Sequence, residues 1–240
     1  MNKSYSKEIK YKLIMIGDEN VGKTSIISRF KSDKYSGKYE PTLGLDFQSK
    51  SIIIDNKNVK LLLYDTAGQE KFRALVPLYT KEAKIIFFVY DITNYDSFLN
   101  IEKWFNSLSN INKDEIIFFI IGNKIDLINE RKVPTEEAKM YAESHNYFFA
   151  EVSALTGEGI DDLFSRKLST QIKKQFLYEE KTNRDQEEEK LKINLQENLD
   201  KNIKNKKKKN VVGVLNINIY CLNLLYIIII NAKFNLITDK

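Results

Sequence analysis

The chain has 240 residues, of which 42% are hydrophobic and 30% are charged, which suits one globular domain with an appendage and excludes a wholly disordered or fibrous chain. A single cysteine, Cys221, excludes an internal disulfide framework and a cysteine-rich zinc site. The net charge of +5 comes largely from the lysine run 206–209, so it does not indicate a nucleic-acid-binding body. Residues 1–8 lack the apolar stretch of a signal peptide, which favours an intracellular protein.

Apolar runs bounded by polar turns recur through the first 155 residues and predict strands. Most runs are continuous rather than alternating, as expected for strands that are buried on both faces of a sheet. In chain order the predicted strands are 13–16, 52–54, 61–64, 85–90, 116–121 and 147–152. Segments with helical spacing lie between and after them, at 24–31, 96–108, 135–144 and 160–176. This alternation predicts an α/β domain over residues 1–178, with a six-stranded, mostly parallel sheet and helices on both faces.

One pair of strands is expected to run antiparallel. Segments 47–55 and 57–65 are separated by a polar turn around Asp55 and Asn56. Such a short connection can join only antiparallel neighbours, so these segments predict a hairpin.

The composition changes after Tyr178. Residues 179–210 are dense in Glu, Lys, Asn and Gln, which predicts a flexible charged tail with some helix. Residues 211–230 carry no charged side chain, and as a helix they would span about 30 Å, the thickness of a bilayer core. Three interpretations of 211–240 are open: a tail anchor, read-through of AT-rich non-coding sequence, and a soluble partner-binding tail.

A phosphate-binding motif follows the first predicted strand. Residues 17–24 match G-x-x-x-x-G-K-[ST] and open the first predicted helix. The glycines let backbone N–H groups turn toward phosphate oxygens, where the helix N-terminus favours negative charge. Lys23 would neutralise the β and γ phosphates, and the Thr24 hydroxyl would bind Mg²⁺. The motif alone leaves the base unspecified.

Three later segments specify guanine and hydrolysis. Asn123-Lys124-Ile125-Asp126 follows a predicted strand, and the Asp126 carboxylate can accept two hydrogen bonds from guanine, a donor pair that adenine lacks. Ser153 and Ala154 follow the next strand, where a backbone N–H can donate to guanine O6. In the segment 65–70, Asp65 would hold Mg²⁺ through water, Gly68 would approach the γ-phosphate and Gln69 would orient the attacking water.

With these motifs in order, residues 9–177 resemble the small GTPases, and within them the Rab family. The Rab resemblance rests on the segments 43–47, 71–73 and 90–93, and Asp46 with the residues after it resembles the Golgi-type branch. The resemblance implies a P-loop small G domain that binds GTP or GDP with Mg²⁺, hydrolyses GTP and acts as a switch in vesicle trafficking. It also implies an exchange factor, a GTPase-activating protein that supplies the missing arginine finger, and effectors. The rival interpretation is a non-hydrolysing, GTP-bound adaptor.

The resemblance also assigns site residues. It implies that Tyr35 packs against the guanine and ribose, that Tyr39 lies near the γ-phosphate, and that Thr42 binds Mg²⁺ only in the GTP state. The residues expected to act in catalysis are Gln69, Lys23, Thr42 and Gly68. The expected metal ligands are Thr24, Thr42 and Asp65. The expected nucleotide contacts are Gly17, Asn20, Val21, Gly22, Lys23, Thr24, Ser25, Tyr35, Tyr39, Thr42, Gly68, Asn123, Lys124, Asp126, Ser153, Ala154 and Leu155.

The sequence departs from the family pattern at several positions. Tyr64 stands where Rabs usually carry Trp, and with Phe47 and Tyr79 it would form an aromatic surface for effectors; the alternative is that Phe47 and Tyr79 fill the core. Glu19 enters the phosphate loop and is expected to face solvent, and Leu155 replaces a Lys that often covers the base.

Two expectations concern the rest of the chain. The sequence ends without the paired cysteines that Rabs prenylate, so contact with the cytoplasmic face of endomembranes, expected at the Golgi or on transport vesicles, would depend on 211–240. The single tryptophan, Trp104, is expected to lie away from the switch loops.

Overall fold

A computed structural model of the protein describes residues 9–32, 45–66, 74–108 and 111–209. The described residues contain six strands in one sheet, in the spatial order β2-β3-β1-β4-β5-β6. The strands are β1 Ile9–Ile16, β2 Leu45–Ile54, β3 Lys57–Thr66, β4 Ile85–Asp91, β5 Ile117–Asn123 and β6 Phe148–Val152. Every neighbouring pair is parallel except β2 and β3. The predicted six-stranded, mostly parallel sheet is confirmed.

Five α-helices are described: α1 Lys23–Ser32, α2 Val76–Thr80, α3 Tyr95–Asn106, α4 Thr135–Ser144 and α5 Ser169–Lys209. Short 3₁₀ turns cover Lys113–Glu115 and Ile125–Glu130, and a π-helical turn covers Asp162–Leu168 just before α5. The helix α3 begins at a local signal, because the Asn94 side chain accepts hydrogen bonds from the backbone N–H groups of Asp96 and Ser97.

Alternate residues of β1 divide the core between two faces of the sheet. Leu13 and Met15 pack in a cluster with buried residues of α1, the π-helical turn and the start of α5. Ile14 and Ile16 pack in a second cluster with buried residues of α2, α3 and α4. All four side chains are 0% exposed, as the continuous apolar run predicted. The helices therefore cover both faces of the sheet.

The antiparallel hairpin is confirmed with its turn. Ile54 pairs with Lys57 in the register of β2 and β3, which leaves Asp55 and Asn56 as a two-residue connection. Both have positive φ, at 47° and 59°, the combination that a type I′ turn requires and that Asp and Asn tolerate best.

The chain divides into two compact units, residues 1–179 and 180–240. The segment 179–210, predicted as a charged tail with some helix, is helical as far as Lys209, within α5. No helix among the described residues is both long enough and apolar enough to cross a membrane. The uncharged segment 211–230 lies outside the described residues.

Candidate nucleotide-binding site

The phosphate loop, residues 17–24, connects β1 to α1 and depends on two glycines for its shape. Gly17 has φ +151°, and a Cβ built on it would lie 2.2 Å from the carbonyl oxygen of Val89 in β4. Gly22 has φ +96°, and its Cβ would lie 2.2 Å from the side-chain nitrogen of Asn123. Both glycines are thus required by the close approach of neighbouring elements as well as by backbone conformation.

Lys23 is the buried cation of this loop. It is 6% exposed, and its Nζ donates to the carbonyls of Gly17 at 2.9 Å and Asp18 at 2.7 Å. Burial lowers the pKa of Lys23 to about 8, although the nearby carboxylates of Asp65, Asp18 and Glu19 favour its charged form. A bound phosphate would supply the negative charge that favours the ammonium group.

Thr24 and Asp65 meet where Mg²⁺ is predicted. The Thr24 hydroxyl donates to the Asp65 carboxylate. Asp65 is buried at the end of β3, and the next residue, Thr66, fixes that end by donating from its hydroxyl to the carbonyl of Met15 at 2.6 Å. Hydroxyl and carboxylate oxygens are the ligands that suit Mg²⁺, so these two residues fit the ion.

The base end of the site is built from the loops that follow β5 and β6. The Asn123 side chain donates to the carbonyl of Val21 at 2.8 Å and accepts from the backbone N–H of Ala154 at 3.1 Å. The Asp126 carboxylate accepts from the Ser153 hydroxyl at 2.5 Å. The two segments that were expected to bind guanine therefore lie together, in contact with the phosphate loop.

A model of the Ras family matches residues 12–174, more than half of the chain. The chain belongs to the Ras family. Members of this family are small GTPases, which bind GTP or GDP with Mg²⁺ and work as switches with effectors, exchange factors and GTPase-activating proteins. The match includes every described segment of the site, from the end of β1 to the loop after β6.

Two residues of this Ras-family site were not predicted from the sequence. Asp91, at the end of β4, binds Lys124 with 2.6 Å between Nζ and Oδ2, and its other oxygen accepts from the backbone N–H of Thr93 at 2.9 Å. The backbone of Lys124 itself has a positive φ, at +71°. The available signal was the segment 90–93, which was interpreted only as a Rab feature.

Arg29 of α1 supports the loop after β6. Its Nε donates to the carbonyl of Ala154 at 2.9 Å, and its Nη2 donates to the carbonyl of Leu155. The helix that carries Lys23 and Thr24 therefore also holds the loop expected to face guanine O6. Only the fold could reveal this contact, because 125 positions separate Arg29 from Ala154.

The remaining predicted residues fall into three groups: residues whose exposure is described, Trp104 with its contact to the phosphate loop, and residues outside the described part of the chain. Glu19 is exposed, as predicted, and so are Asn20 and Leu155, whereas Ser25 is half-buried. Trp104 was expected to lie away from the switch loops, which lie largely outside the described residues; its indole N–H donates to Asp18 of the phosphate loop. The residues Tyr35, Tyr39, Thr42, Gly68 and Gln69 lie outside the described residues, and so do the Rab-like segment 71–73 and residues 43 and 44.

The aromatic surface is described in part. The rings of Phe47 and Tyr64 lie 5.0 Å apart between centroids, and Phe47 is 52% exposed, so it does not fill the core. The ammonium group of Lys12 lies 4.7 Å from the centre of the Tyr64 ring, a cation–π contact. Tyr79 is half-buried and contacts no other aromatic ring among the described residues. Phe47 and Tyr64 thus form a pair without Tyr79.

Proposed function

We propose that this chain is a Rab-type GTPase, a GTP/GDP switch that hydrolyses GTP and recruits effectors in vesicle trafficking. The observation that carries the nucleotide part is the juxtaposition of Asp126 and Ser153 beside Asn123, which in turn contacts the phosphate loop. A carboxylate at this point can accept from the guanine N1–H and the exocyclic amine, and adenine offers no such pair of donors. The base and the phosphates of one guanine nucleotide would therefore be bound together.

The proposed reaction is phosphoryl transfer to water, in which the protein supplies position and charge rather than covalent chemistry. Lys23 would neutralise the phosphates, and Thr24, Asp65 and Thr42 would hold Mg²⁺, which neutralises charge that develops during transfer. Gly68 would bind the γ-phosphate, and Gln69 would orient the attacking water. Because the sequence offers no arginine finger, a GTPase-activating protein would provide one.

The proposed effector surface is the pair Phe47 and Tyr64. Tyr79 is proposed as a third aromatic residue that contacts effectors. Support comes from the exposure of Phe47, because an exposed aromatic ring next to another aromatic ring is typical of binding surfaces. Ile53 provides a matched control on the same strand, since it is 79% exposed and lies near the other end of β2. Capture of proteins by the GTP-loaded chain should be lost in Phe47→Ala and kept in Ile53→Ala.

The proposed location is the cytoplasmic face of endomembranes, at the Golgi or on transport vesicles. This part rests on the resemblance to the Golgi-type Rabs and on the uncharged segment 211–230. Full-length protein that resists alkaline carbonate extraction, and becomes soluble when the chain is cut after Asn210, would support a membrane anchor. A transcript that ends in cysteine codons would replace the anchor with a prenylated end.

The alternative is an adaptor that binds GTP without hydrolysing it, so that the nucleotide only supports the structure. The rate of GTP hydrolysis distinguishes this adaptor from a GTPase switch. Glu19 provides a reason to test it, because its carboxylate lies in the phosphate loop and would repel a γ-phosphate if it turned inward. Intrinsic hydrolysis should be slow, on the order of 10⁻⁴ per second, and rise steeply with an arginine-supplying partner. Gln69→Leu should fold, bind GTP and turn over still more slowly. If neither GTP nor GDP is recovered from the purified protein, the whole proposal fails; if GTP persists with every partner, the adaptor replaces the enzyme.

A further inference from the structure

A pair of side chains on α3 clamps the phosphate loop. The Asp18 carboxylate accepts from the Asn100 amide, with Nδ2 2.7 Å from Oδ2, and from the Trp104 indole, with Nε1 2.7 Å from Oδ1. Asn100 and Trp104 are four residues apart and therefore neighbours on one face of the helix. Each oxygen of the carboxylate thus has its own donor from the same helix.

The main chain of the clamped residue holds the phosphate-binding lysine. The Asp18 carbonyl accepts from Lys23 Nζ at 2.7 Å, and the adjacent Gly17 carbonyl accepts at 2.9 Å. A side chain held at two points restricts the backbone torsions of its residue, and so it restricts the direction of these carbonyls. Contacts on α3 are in this way linked to the position of the Lys23 ammonium group.

Packing alone does not explain the carboxylate. Trp104 is 1% exposed and fills the core between α3 and the sheet, but its buried N–H needs an acceptor, which a neutral group could also provide. A negative charge in a phosphate-binding loop opposes the binding of phosphate. What a carboxylate offers here is two acceptor oxygens, one for each donor of α3.

We propose that Asp18 is a positioning residue for the nucleotide phosphates. The helix α3 fixes Asp18 through Asn100 and Trp104, and Asp18 fixes the carbonyls that orient Lys23. This inference rests on the proposed binding of a guanine nucleotide. It gives α3, a helix that carries no predicted nucleotide contact, a role in nucleotide binding in addition to its packing in the core.

The decisive variant is Asp18→Ala, because two effects on GDP binding have opposite signs. If the carboxylate acted only through its charge, its removal would tighten the binding of phosphate. If it positions Lys23, its removal should speed GDP dissociation by about tenfold, since Asn100 and Trp104 then no longer fix the residue whose carbonyl accepts from Lys23. Asp18→Asn keeps one of the two acceptor oxygens without the charge, so its rate should lie between those of the wild-type protein and Asp18→Ala. The control Asp114→Ala removes an equal charge from an exposed side chain and should leave the rate unchanged.

The fluorescence of Trp104 provides a second measurement, which a purely structural role of the Asp18 contact would not change. This residue is the only tryptophan in the chain, and its N–H donates directly to the phosphate loop, so its emission should change when EDTA releases GDP from the wild-type protein. In Asp18→Ala that nucleotide-dependent change should disappear, although the indole stays buried. Should Asp18→Ala fail to fold, Asn100→Ala tests the same clamp with the tryptophan retained, and it should also release GDP faster.

The outcomes separate this inference from the proposed function. A wild-type protein that binds no guanine nucleotide contradicts the proposed function, and the positioning role falls with it. Wild-type binding together with equal or slower GDP release from Asp18→Ala and Asn100→Ala overturns the positioning role alone. Faster release from both variants, with an intermediate rate in Asp18→Asn, establishes it.

Discussion

The side-chain amide of Asn123 donates to the carbonyl of Val21 at 2.8 Å, which joins the loop after β5 to the phosphate loop. The same side chain accepts from the backbone N–H of Ala154 at 3.1 Å. One residue thus connects the carboxyl ends of β1, β5 and β6, the edge of a parallel sheet at which ligands usually bind. Because of this connection, a change at the base end of the site can affect the phosphate end.

The first prediction concerns the choice of base. Asp126→Asn replaces an acceptor by an amide, so the protein should lose about a hundredfold in GTP affinity and gain affinity for xanthosine triphosphate, whose 2-oxo group needs a donor. Ser153, which donates to Asp126 at 2.5 Å, can still bind the amide oxygen, so the fold should persist. Competitive titration with both nucleotides measures the change. Unchanged GTP affinity would remove Asp126 from the site.

The second prediction compares a partly buried ion pair with an exposed one. Arg131 and Glu151 lie 2.6 Å apart between Nη1 and Oε1, and both side chains are 16% exposed. Replacement of one partner leaves the other charge largely shielded from water, so Arg131→Met should lower the free energy of unfolding by about 2 kcal/mol, between the costs for buried and for exposed pairs. The exposed pair Lys84 and Glu115, 2.9 Å apart, provides the control, because Lys84→Met should cost less than about 1 kcal/mol.

Urea unfolding in excess GDP measures both variants of this comparison under one ligand concentration, since bound nucleotide itself contributes to stability. Equal decreases in the free energy of unfolding for Arg131→Met and Lys84→Met would show that burial does not decide the strength of these pairs.

Much of the fold could be predicted because its signals are local. The buried strands are continuous apolar runs, and the phosphate and guanine motifs each fit within a few residues. The helix Val76–Thr80 was missed because five residues are too few to show a helical period. The turn at Asp55 and Asn56 was found because its residue types tolerate positive φ.

The contacts that support the site could not be predicted, since they join residues that are distant in sequence. Trp104 and Asp18 are 86 positions apart, and nothing local to Trp104 indicates which acceptor its N–H will meet. The same holds for Arg29 and the carbonyl of Ala154. Motifs identify residues that touch the ligand, whereas the residues that position them become visible only when the elements are packed.

The third prediction concerns a buried hydroxyl. Tyr90 is 0% exposed, and its hydroxyl has no hydrogen-bond partner among the described residues. Tyr90→Phe removes this unsatisfied group and should raise the free energy of unfolding by about 1 kcal/mol. Tyr141→Phe is the control, because the Tyr141 hydroxyl donates to Glu102 at 2.9 Å and its loss should be neutral or destabilising. Destabilisation by Tyr90→Phe would reveal a partner, such as an ordered water, for that hydroxyl.

The fourth prediction concerns the pH dependence of nucleotide binding. In the nucleotide-free protein, burial lowers the pKa of Lys23 to about 8. Bound phosphates favour the ammonium group, so they should raise this pKa, and binding above about pH 8 must then take up a proton. GDP affinity should therefore be constant below that pH and fall by about tenfold per unit above it.

Stability of the nucleotide-free protein should change in the opposite direction. The folded pKa of Lys23 lies below its ordinary value of 10.5, so the cost of burying the charge is fully present below about pH 8 and is relieved as the pH rises toward 10.5. As the pH rises, a GDP affinity that falls while the stability of the nucleotide-free protein increases distinguishes the titration of Lys23 from general alkaline unfolding. Calorimetry in two buffers with different ionisation enthalpies measures the proton uptake, and urea unfolding measures the stability. Lys23→Met should bind GDP more weakly with no proton uptake from this position, and a wild-type affinity that stays flat up to about pH 9 would contradict the assignment of Lys23 as the titrating phosphate ligand.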